Sequence, residues 1–390
     1  MKIFVLLSRV PYPLEKGDKL RAFNQLKVLS KQHEIYLFAL NDTSLHKEAV
    51  SILSSFCKEV HIFHLSKISI FKNTIRFLFA GKPLQCGYFY NRKAQKTIDK
   101  LLADINPDHI YAQLIRTAEY VKDKPIKKTI DYQDLFSKGL FRIMERSSVI
   151  KRIFVNIEYL RVKKYEKEIF DAFDNKTIIT QEDKNLFDGI KKEELHVVPN
   201  GVNTSFFKPI LSVDRSCDLI FTGNMSYTPN VNAAEYIAKD ILPALLEKHP
   251  NIRILLCGAT PSHRVLALEN ENIKVTGWVE DIRPYYAKSY IFIAPMQLGT
   301  GLQNKLLEAM AMQIPCITSP LAAKPLGATH GKELFICDSV TEYIEAINIL
   351  LQNTDTYKTI SENAYTFVHA NFNWESTTNI LENLISNTKE

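Results

Sequence analysis

Short apolar runs alternate with amphipathic helical stretches along this chain, and that alternation decides which folds are open to it. The first run, residues 2–7 (KIFVLL), is rich in β-branched and aromatic residues and precedes a loop with proline and glycine. A helix is predicted next, because Leu20, Phe23 and Leu26 recur at helical spacing. Strands joined by helical crossovers pair in parallel. The pattern therefore predicts an α/β fold with doubly wound sheets.

The alternation is interrupted once, near the middle of the 390 residues. Residues 197–216 (VVPNGVNTSFFKPILSVDRS) carry proline, asparagine and glycine, which end regular elements. The alternation restarts at residues 218–222 (DLIFT). A chain of this length is long for one domain and sufficient for two. We predict one lobe over residues 1–205 and a second over residues 206–369, followed by a tail that is helical and apolar on one face.

Seven strands are predicted in the first lobe and six in the second, with a long helix over residues 149–171. The strands of the first lobe are predicted at residues 2–7, 35–40, 60–63, 108–112, 129–131, 177–180 and 196–198. Those of the second lobe are predicted at residues 219–222, 252–257, 273–277, 290–294, 315–318 and 334–337.

Composition excludes several classes of protein. With 46% hydrophobic and 24% charged residues, the chain is neither disordered nor fibrous. The six cysteines form no Cys-x-x-Cys pair and lie mostly in apolar runs, so neither a zinc site nor a disulfide framework is expected. The apolar run at the N-terminus is too short for a signal peptide, and no uninterrupted apolar run reaches the about 18 residues that a transmembrane helix needs. We expect a cytoplasmic location.

Charge is distributed unevenly between the two halves. Residues 1–210 hold 36 Lys and Arg against 24 Asp and Glu, a charge of +12, whereas residues 211–390 hold 13 against 19, a charge of −6. A basic first half predicts an anionic partner, such as a lipid surface or a phosphorylated acceptor. Nucleic acid is the competing partner, but the sequence has no helix-turn-helix, zinc finger or RNP-like string, and we predict none.

One segment of the first half combines an apolar stripe with basic residues. Residues 67–84 (KISIFKNTIRFLFAGKPL) include no acidic residue. This pattern is typical of a helix that lies in a membrane interface, but a helix packed on its own lobe has the same stripe, and both interpretations stay open. The apolar residues are Ile68, Phe71, Ile75, Leu78 and Phe79, and the basic residues are Lys67, Lys72, Arg76 and Lys82.

The stretch from residue 299 to 320 (GTGLQNKLLEAMAMQIPCITSP) predicts a loop, a helix and a strand. Two glycines bracket Thr300 directly after an apolar run, and Asn304 is predicted to cap the helix. A helix N-terminus offers unpaired amides and the positive end of the helix dipole. The stretch therefore predicts a phosphate site, with Glu308 in the second helical turn, off the centre of the buried stripe.

This stretch resembles the donor-binding motif of retaining glycosyltransferases of family four. Glu308 in LLEAMAMQIPCITS matches the second Glu of that motif, which in the family holds the ribose hydroxyls of a nucleotide-sugar. Thr300 stands where the family has its first Glu, so the resemblance predicts the nucleotide end of the site better than the sugar end. An exposed Glu on an ordinary helix is the alternative.

The resemblance extends over most of the chain. VVPNGVNTSFF is similar to the hinge of family four, and NFNWES is similar to its closing motif. The segments RVPYPLEKGDKLR, IDYQDLFSKG, FTGNMSYTPNVNA and GLQNKLLEAMAM resemble an exopolysaccharide-associated subgroup of sugar transferases. The resemblance implies the GT-B fold, in which two Rossmann-like lobes face a cleft. The first lobe then lies on the acceptor side and is completed by a helix at about 370–390, and residues 206–369 bind the nucleotide-sugar.

The resemblance also implies donor-site residues and one departure from the family. Asn224 and Pro229 stand where the family has an Arg and a Lys that neutralise the diphosphate. Lys305 is the predicted replacement, with a solvated lysine, or a donor of lower charge, as the alternative. The predicted nucleotide-sugar site comprises Gly17, Gly223, Asn224, Trp278, Val279, Thr300, Gly301, Leu302, Gln303, Asn304, Lys305 and Glu308. Gly17 is equally typical of any turn, and a core tryptophan is the alternative for Trp278.

Asp131 and Asp134 (IDYQDLFS) fall near the place where some family members hold a catalytic histidine. They are the candidate catalytic residues, with helix capping by Asp134 as the alternative. No Asp-x-Asp occurs in the chain, so no metal site is predicted. Helix amides and basic side chains are expected to hold the phosphates instead.

These observations predict a glycosyltransferase that moves a sugar from a nucleotide-sugar to a carbohydrate or lipid-linked acceptor in polysaccharide or envelope glycan biosynthesis. It is expected to be hexosyltransferase-like and metal-independent, with no cofactor, and the resemblance implies a retaining outcome. A nucleotide-sugar 2-epimerase is one alternative. A non-catalytic sugar-binding protein is another, suggested by Thr300, Asn224 and Pro229. Attachment to the inner face of the cytoplasmic membrane is the open alternative to a purely cytoplasmic location.

Overall fold

Parallel strands form the centre of both halves of the computed structural model, which describes residues 1–145, 147–210, 213–299 and 301–387. One unit comprises residues 1–199 together with the stretch that begins at Thr378, and the other comprises residues 200–377. The sequence predicts the boundary between the two units at residues 205/206. It predicts that the chain rejoins the first unit at about residue 370. The observed limits therefore lie a few residues away from the predicted ones.

The described residues of the first unit form a seven-stranded sheet. Its strands are β1 (Lys2–Leu7), β2 (Glu34–Asn41), β3 (Glu59–His64), β4 (His109–Gln113), β5 (Lys128–Asp131), β6 (Asn175–Ile178) and β7 (Leu195–Val197). They pair in parallel in the order β3-β2-β1-β4-β5-β6-β7. The register places Ile3 of β1 opposite Ile35 of β2 and His109 of β4.

Helices cover both faces of this sheet, as the run of buried residues in β1 requires. Successive side chains of a strand point to opposite faces. Phe4 and Leu6 accordingly join one hydrophobic cluster, and Ile3 and Val5 join another. The helices of this unit are α1 (Gly17–Leu29), α2 (Ala49–Ser54), α3 (Lys67–Phe79), α4 (Leu84–Phe89), α5 (Arg92–Ile105), α6 (Ile115–Ala118), α7 (Phe136–Glu145), α8 (Val149–Ala172) and α9 (Gln181–Leu186), with a 3₁₀ turn at Lys192–Glu194.

The described residues of the second unit form a six-stranded parallel sheet around one hydrophobic cluster. Its strands are β8 (Cys217–Thr222), β9 (Ile254–Cys257), β10 (Ile273–Gly277), β11 (Ser289–Ala294), β12 (Cys316–Thr318) and β13 (Phe335–Ile336), in the order β10-β9-β8-β11-β12-β13. Its helices are α10 (Thr228–Tyr236), α11 (Leu242–Leu246), α12 (His263–Leu266), α13 (Arg283–Ala287), α14 (Asn304–Ala311), α15 (Pro320–Ala323), α16 (Val340–Gln352) and α17 (Thr354–Asn371), and a π-helical segment, Ile237–Ile241, joins α10 to α11.

The last helix, α18 (Trp374–Asn387), begins in the second unit and ends in the first. Its Leu381 and Ile385 are buried in the same cluster as Ile3 and Val5 of β1. The Asn175 side chain donates a hydrogen bond to the Leu384 carbonyl at 2.8 Å. The end of α18 is therefore part of the core of the first unit.

Each sheet has one point at which the strand order reverses. This switch point lies between β1 and β4 in the first unit and between β8 and β11 in the second. In open α/β sheets, ligands bind outside the carboxyl ends of the strands at such a point. The predicted fold, two Rossmann-like doubly wound units, is confirmed, and its two switch points are where sites are to be sought.

Helix α3 and the first half of α8 expose large apolar side chains. On α3, 70% of Ile68, 68% of Phe71 and 85% of Phe79 is exposed, and Phe77 is the one buried residue of that helix. The Arg161 side chain of α8 donates to the Leu78 carbonyl at 3.1 Å and so joins the two helices. We call this surface the apolar face; it consists of Ile68, Phe71, Ile75, Leu78 and Phe79 of α3 and Val149, Ile150, Ile153, Phe154, Ile157 and Leu160 of α8.

Most of the apolar stripe of α3 is therefore exposed within its own unit. A helix packed on its own lobe, the alternative interpretation, would bury that stripe. Among the described residues, every helix is too short or too polar to cross a bilayer.

Candidate active site

The switch point of the second sheet brings together the segments after β8 and β11. Gly223 follows β8 directly, and the segment from Pro295 to Gln303 leads from β11 into α14. Pro229, at the start of α10, would contact a Cβ on Gly299 at 3.4 Å, so this segment lies close to α10. The predicted phosphate site therefore lies at a point where α/β sheets bind ligands.

Two glycines hold the backbone in a conformation that brings β8 and β9 close together. Gly258 has a φ of +150°, and a Cβ added there would lie 1.8 Å from the Gly223 carbonyl oxygen. Gly223 has a φ of +155°, and a Cβ added there would lie 2.6 Å from Nδ2 of Asn230 and 3.2 Å from Nζ of Lys305. Side chains rarely adopt either backbone conformation. The absence of a Cβ at Gly223 leaves room for Asn230 and Lys305.

Lys305 lies in the first turn of α14 with its amine directed toward Gly223. Its Nζ donates a hydrogen bond to Oδ1 of Asn230 and lies 4.6 Å from the ring centroid of Phe221. It forms no salt bridge with any described residue. Burial lowers the pKa of Lys305 to about 7, although the nearby Glu308 opposes this shift. A cation with no ion-pair partner at a switch point is suited to bind an anion.

Glu308 lies one turn further along α14 and is held by a buried tyrosine. The Tyr286 hydroxyl lies 3.0 Å from Oε2 of Glu308 and 2.8 Å from Oγ1 of Thr222 at the end of β8. Burial raises the pKa of Glu308 to about 7, against the Tyr286 hydrogen bond and the charge of Lys305. Glu308 is therefore not the exposed glutamate of the alternative interpretation, and its second oxygen is available for a ligand hydroxyl.

The N-terminus of α14 differs from the prediction in one respect. Asn304 is the first helical residue, Gln303 occupies the cap position, and no side chain caps the described part of this turn. The predicted cap is wrong, because Oδ1 of Asn304 instead accepts a hydrogen bond of 3.4 Å from Asn200. The Leu306 amide donates to the Gln303 carbonyl at 3.0 Å, and the Asn304 and Lys305 amides before it are, as first amides of a helix, without a partner within the helix.

The other predicted donor-site residues lie at several places along this sheet edge. Asn224 follows Gly223, and its side-chain oxygen accepts from Ser226 at 2.7 Å and from Thr260 at 3.1 Å, which stabilises a turn. Leu302 packs against the core, whereas Gly301 and Gln303 remain partly accessible. Thr300 lies outside the described residues.

Trp278 and Val279 follow β10 on the same edge. The alternative of a core tryptophan is wrong, because 71% of Trp278 is exposed. Val279 packs against the core with part of its surface accessible. Gly17 opens α1 in the first unit, with open space where a side chain would be. The donor roles of these three residues stay predictions.

Asp131 is fully buried in an ion pair. Arg21, also fully buried, donates from Nε to one Asp131 oxygen at 2.7 Å and from Nη2 to the other at 3.2 Å. Thr177 donates to the same carboxylate at 2.9 Å, and Arg21 also donates to the Pro199 carbonyl at 3.3 Å. Because both oxygens are engaged and neither is exposed, Asp131 holds a structural ion pair and has no oxygen accessible to a substrate.

Asp134 is exposed over part of its surface and packed against protein over the rest, and no described residue donates a hydrogen bond to its carboxylate. The predicted alternative, capping of the next helix, is therefore not observed. Desolvation by surrounding protein, together with the nearby Asp183, raises the pKa of Asp134 to about 6. Gln133, which precedes it, has a φ of +61°, a strained conformation of the kind found at functional sites. Asp134 remains the catalytic candidate.

Sequence reasoning missed three side chains that build the site. Asn230 binds Lys305, Tyr286 binds Glu308, and Thr222 binds Tyr286. Asn230 lies in the segment YTPN beside predicted site residues, so its position was a usable signal. Tyr286 lies in α13, far from any motif, and only the folded chain brings it to Glu308.

In the described residues, no group of three His, Cys, Asp or Glu side chains is placed to hold a metal ion.

Replacing Gly223 by Ala is expected to weaken donor binding by at least tenfold while the protein still folds. The new methyl group meets the ends of Asn230 and Lys305 at 2.6 and 3.2 Å, and the φ of +155° adds strain. Isothermal titration with nucleotide-sugars measures the loss. Gly327→Ala is the matched control, because it combines a positive φ of +72° with open space around the added Cβ. Equal binding by both variants would contradict this account of Gly223.

Comparison with known proteins gives a family match for the second unit and relatives that span nearly the whole chain. Residues 216–353, most of the second unit, match the sequence model of the family described as Glycosyl transferases group 1. The chain is 22% identical to an uncharacterized 44.6 kDa protein in the cps region of Klebsiella pneumoniae, over 95% of this chain and 96% of that protein. It is 24% identical to spore coat protein SA of Bacillus subtilis (strain 168), over 99% and 98% of the two chains.

Solved structures share the fold of the whole chain. HepE from Anabaena in complex with UDP superposes with a TM-score of 0.70 at 16% identity, over 99% of this chain and 100% of HepE. Sucrose-phosphate synthase from Thermosynechococcus elongatus superposes with a TM-score of 0.68 at 14% identity, over 100% and 99% of the two chains. These structures and the two Rossmann-like units show that the chain has the GT-B fold, and residues 216–353 of its second unit resemble glycosyltransferases.

Proposed function

We propose that this protein is a glycosyltransferase that takes its sugar from a nucleotide-sugar bound at the switch point of the second unit. The observation that carries the proposal is the placement of Lys305 and Glu308 on successive turns of α14, beside the backbone of Gly223. In this proposal, Glu308 accepts hydrogen bonds from the ribose hydroxyls, and Lys305 together with the first amides of α14 binds the diphosphate.

Lys305 compensates for the basic residues that this chain lacks. Asn224 and Pro229, which stand at the two positions where the resemblance places basic residues, carry no charge. A single amine that is partly desolvated interacts with phosphate more strongly than an amine in water. As the bond to the sugar breaks, charge develops on the leaving diphosphate, and Lys305 is placed to stabilise it.

We also propose that the enzyme belongs to glycosyltransferase family four and retains the anomeric configuration of the sugar. This proposal rests on the resemblance of the Glu308 motif. The leaving phosphate would take the proton of the acceptor hydroxyl on the same face of the sugar, with Asp134 as the candidate to bind an acceptor or sugar hydroxyl. The similar structures of HepE from Anabaena, solved in complex with UDP and with UDP-glucose, favour a UDP-hexose as donor. The relatives in a cps region and a spore coat favour a polysaccharide or envelope glycan as product.

The enzyme is proposed to act at a membrane surface. The apolar face of α3 and α8 is bordered by the exposed basic residues Lys67, Lys72 and Arg76. Apolar side chains flanked by basic ones bind anionic membrane interfaces. Attachment at the inner face of the cytoplasmic membrane would bring the enzyme to a lipid-linked acceptor.

A nucleotide-sugar screen tests the proposed function. We expect UDP-hexoses to raise the thermal midpoint and radiolabel to pass from the donor to a lipid or glycan extract. Because helix amides and Lys305 bind the phosphates in this proposal, EDTA is expected to leave turnover unchanged. Stabilisation without transfer would favour a non-catalytic binder, and interconversion of free nucleotide-sugars would favour a 2-epimerase. Activity lost in EDTA and restored by manganese would contradict metal independence.

The pH dependence of the reaction is expected to be bell-shaped with a maximum near pH 7. Lys305, with a pKa of about 7, loses its charge as the pH rises, and Glu308, with a pKa of about 7, loses its charge as the pH falls. Binding needs a charged Lys305 and an ionised Glu308, so kcat/KM for the donor falls about tenfold per pH unit on each side. Lys305→Arg should remove the alkaline limb, because arginine stays charged. An unchanged alkaline limb in that variant would exclude Lys305 as its source.

A further inference from the structure

The switch point of the first sheet also holds a pocket, and the donor site does not use it. Its volume is about 340 Å³. Arg9 follows β1, Asp42 follows β2 and Arg116 lies in α6 after β4, so the pocket opens at the carboxyl ends of three adjacent strands. Helices α3 and α4 supply Thr74 and Gln85 to its wall. The general rule for ligands in open sheets applies here as it does in the second unit.

Two arginines give this pocket its charge. The guanidinium of Arg116 lies 5.0 Å from the ring centroid of Phe89 and 4.9 Å from that of Phe136, and Arg9 lies 5.8 Å from the Phe89 centroid. Arg9 is neutralised by Asp18 at 2.6 Å. Arg116 forms no salt bridge with any described residue, and only its Nε donates, to Gln85 at 3.3 Å. Burial and the charge of Arg9 lower the pKa of Arg116, against the opposing charges of Asp18 and Asp42.

The pocket also contains polar groups suited to the rest of a ligand. Asp42, its one carboxylate, accepts a hydrogen bond from the Tyr88 hydroxyl at 3.0 Å. The Thr74 hydroxyl oxygen is hidden from solvent and has no hydrogen-bond partner among the described residues. A buried hydroxyl without a partner costs free energy unless a ligand or water satisfies it.

We infer that this pocket binds a phosphate or diphosphate group of the acceptor, with Arg116 as its main ligand and Arg9 at its edge. The inference rests on the proposed function, because it gives the acceptor its chemical class. Planar guanidinium groups bind phosphate through paired hydrogen bonds. Asp42 and Tyr88 would then bind hydroxyls of the sugar attached to that phosphate. Thr74 lies on α3 next to Ile75 of the apolar face, so a phosphate in the pocket has the proposed membrane surface beside it.

The test uses the full chain carrying Lys305→Gln, which removes the amine of the donor site as a second phosphate ligand. Inorganic pyrophosphate, glucose 1-phosphate and farnesyl diphosphate in micelles are titrated by calorimetry. We expect pyrophosphate to bind, and Arg116→Gln to weaken it about 10- to 100-fold, as expected for loss of charged hydrogen bonds. Arg116→Lys should restore part of the affinity. Arg92→Gln, an exposed arginine of α5, is the matched control and should bind as the parent does.

The source of the phosphate follows from the other two probes. Tighter binding of farnesyl diphosphate than of pyrophosphate indicates a lipid-linked acceptor, and tighter binding of glucose 1-phosphate indicates a sugar phosphate. Failure of all three probes to bind, or equal binding by Arg116→Gln and its parent, would overturn the inference. Nucleotide-sugar binding is measured separately in the Arg116→Gln variant that retains Lys305. Binding that persists there leaves the proposed function intact even where the phosphate inference fails, so failure of the inference and failure of the proposed function are distinguishable.

Discussion

Replacing Glu308 by Ala, or Lys305 by Gln, is expected to lower kcat/KM for sugar transfer by about 10² to 10⁴. Glu308 is proposed to accept two charge-assisted hydrogen bonds, each contributing roughly 1.5 to 3 kcal/mol, and Lys305 to bind the diphosphate. Each substitution should weaken binding of the transition state more than binding of the donor, because negative charge grows on the leaving group as the reaction proceeds. Initial rates with the donor found in the nucleotide-sugar screen measure the effect.

Matched controls separate this effect from a general loss of charge. Lys358 and Glu362 form an exposed pair of the same residue types on α17 in the same unit, and Lys358→Gln and Glu362→Ala should transfer as the wild type does. Thermal midpoints of all four variants establish that they are folded. Glu308→Gln tests the charge alone, because it keeps the shape and one acceptor oxygen. Near-normal transfer by both Glu308 variants would disprove the ribose role.

The second large effect is expected at the apolar face. Changing Phe71, Phe79 and Phe154 together to Ser should lower partitioning onto anionic vesicles by roughly a thousandfold, because each fully buried phenylalanine contributes about 1.5 to 3 kcal/mol and interfacial burial is partial. These rings are 68, 85 and 69% exposed, so their removal leaves the core intact. Cosedimentation with vesicles measures the change, and Phe206→Ser, at 40% exposure in the second unit, is the control. Equal binding by the triple variant and the wild type would exclude this face.

The four basic residues of α3 and of the turn after it, Lys67, Lys72, Arg76 and Lys82, contribute less than their number suggests. A basic side chain near an anionic leaflet contributes about 1 kcal/mol before screening. Lys82 forms a salt bridge of 2.6 Å with Glu119, so it adds little, whereas Lys67, Lys72 and Arg76 are exposed. The variant with all four changed to Gln should therefore lose about a hundredfold on anionic vesicles and nothing on neutral ones.

The alternation of apolar runs predicts the strands well because local sequence carries that signal. Each of the thirteen predicted strands overlaps an observed one, and the helix predicted over residues 149–171 is observed over Val149–Ala172. Parallel strands buried on both faces must be nearly continuous apolar runs, so their positions can be read from the sequence. The same local pattern predicts a phosphate site at the start of α14, because a loop and a helix N-terminus after a strand form one local unit. The roles of Glu308 and Lys305 in that site rest on the resemblance to family four.

Contacts between distant segments could not be predicted in this way. Tyr286 and Glu308 meet only when α13 and α14 pack, and Arg21 meets Asp131 across much of the first unit. Asp131 therefore resembled a catalytic residue in the sequence and is a structural one in the fold. The exposed stripe of α8 was missed for another reason. Its average amphipathicity is weak, because its second half is buried in the core by residues such as Ile169 and Phe170.

The course of α18 bears on how this chain folds during synthesis. Residues 200–377 are contiguous, so the second unit can fold as soon as they have left the ribosome. The first unit emerges earlier but cannot complete its core then, because Leu381 and Ile385 belong to the cluster that contains Ile3 and Val5. Part of that cluster therefore stays uncovered until residues 381 and 385 have been translated. In the cell, the unit made first is therefore the unit finished last.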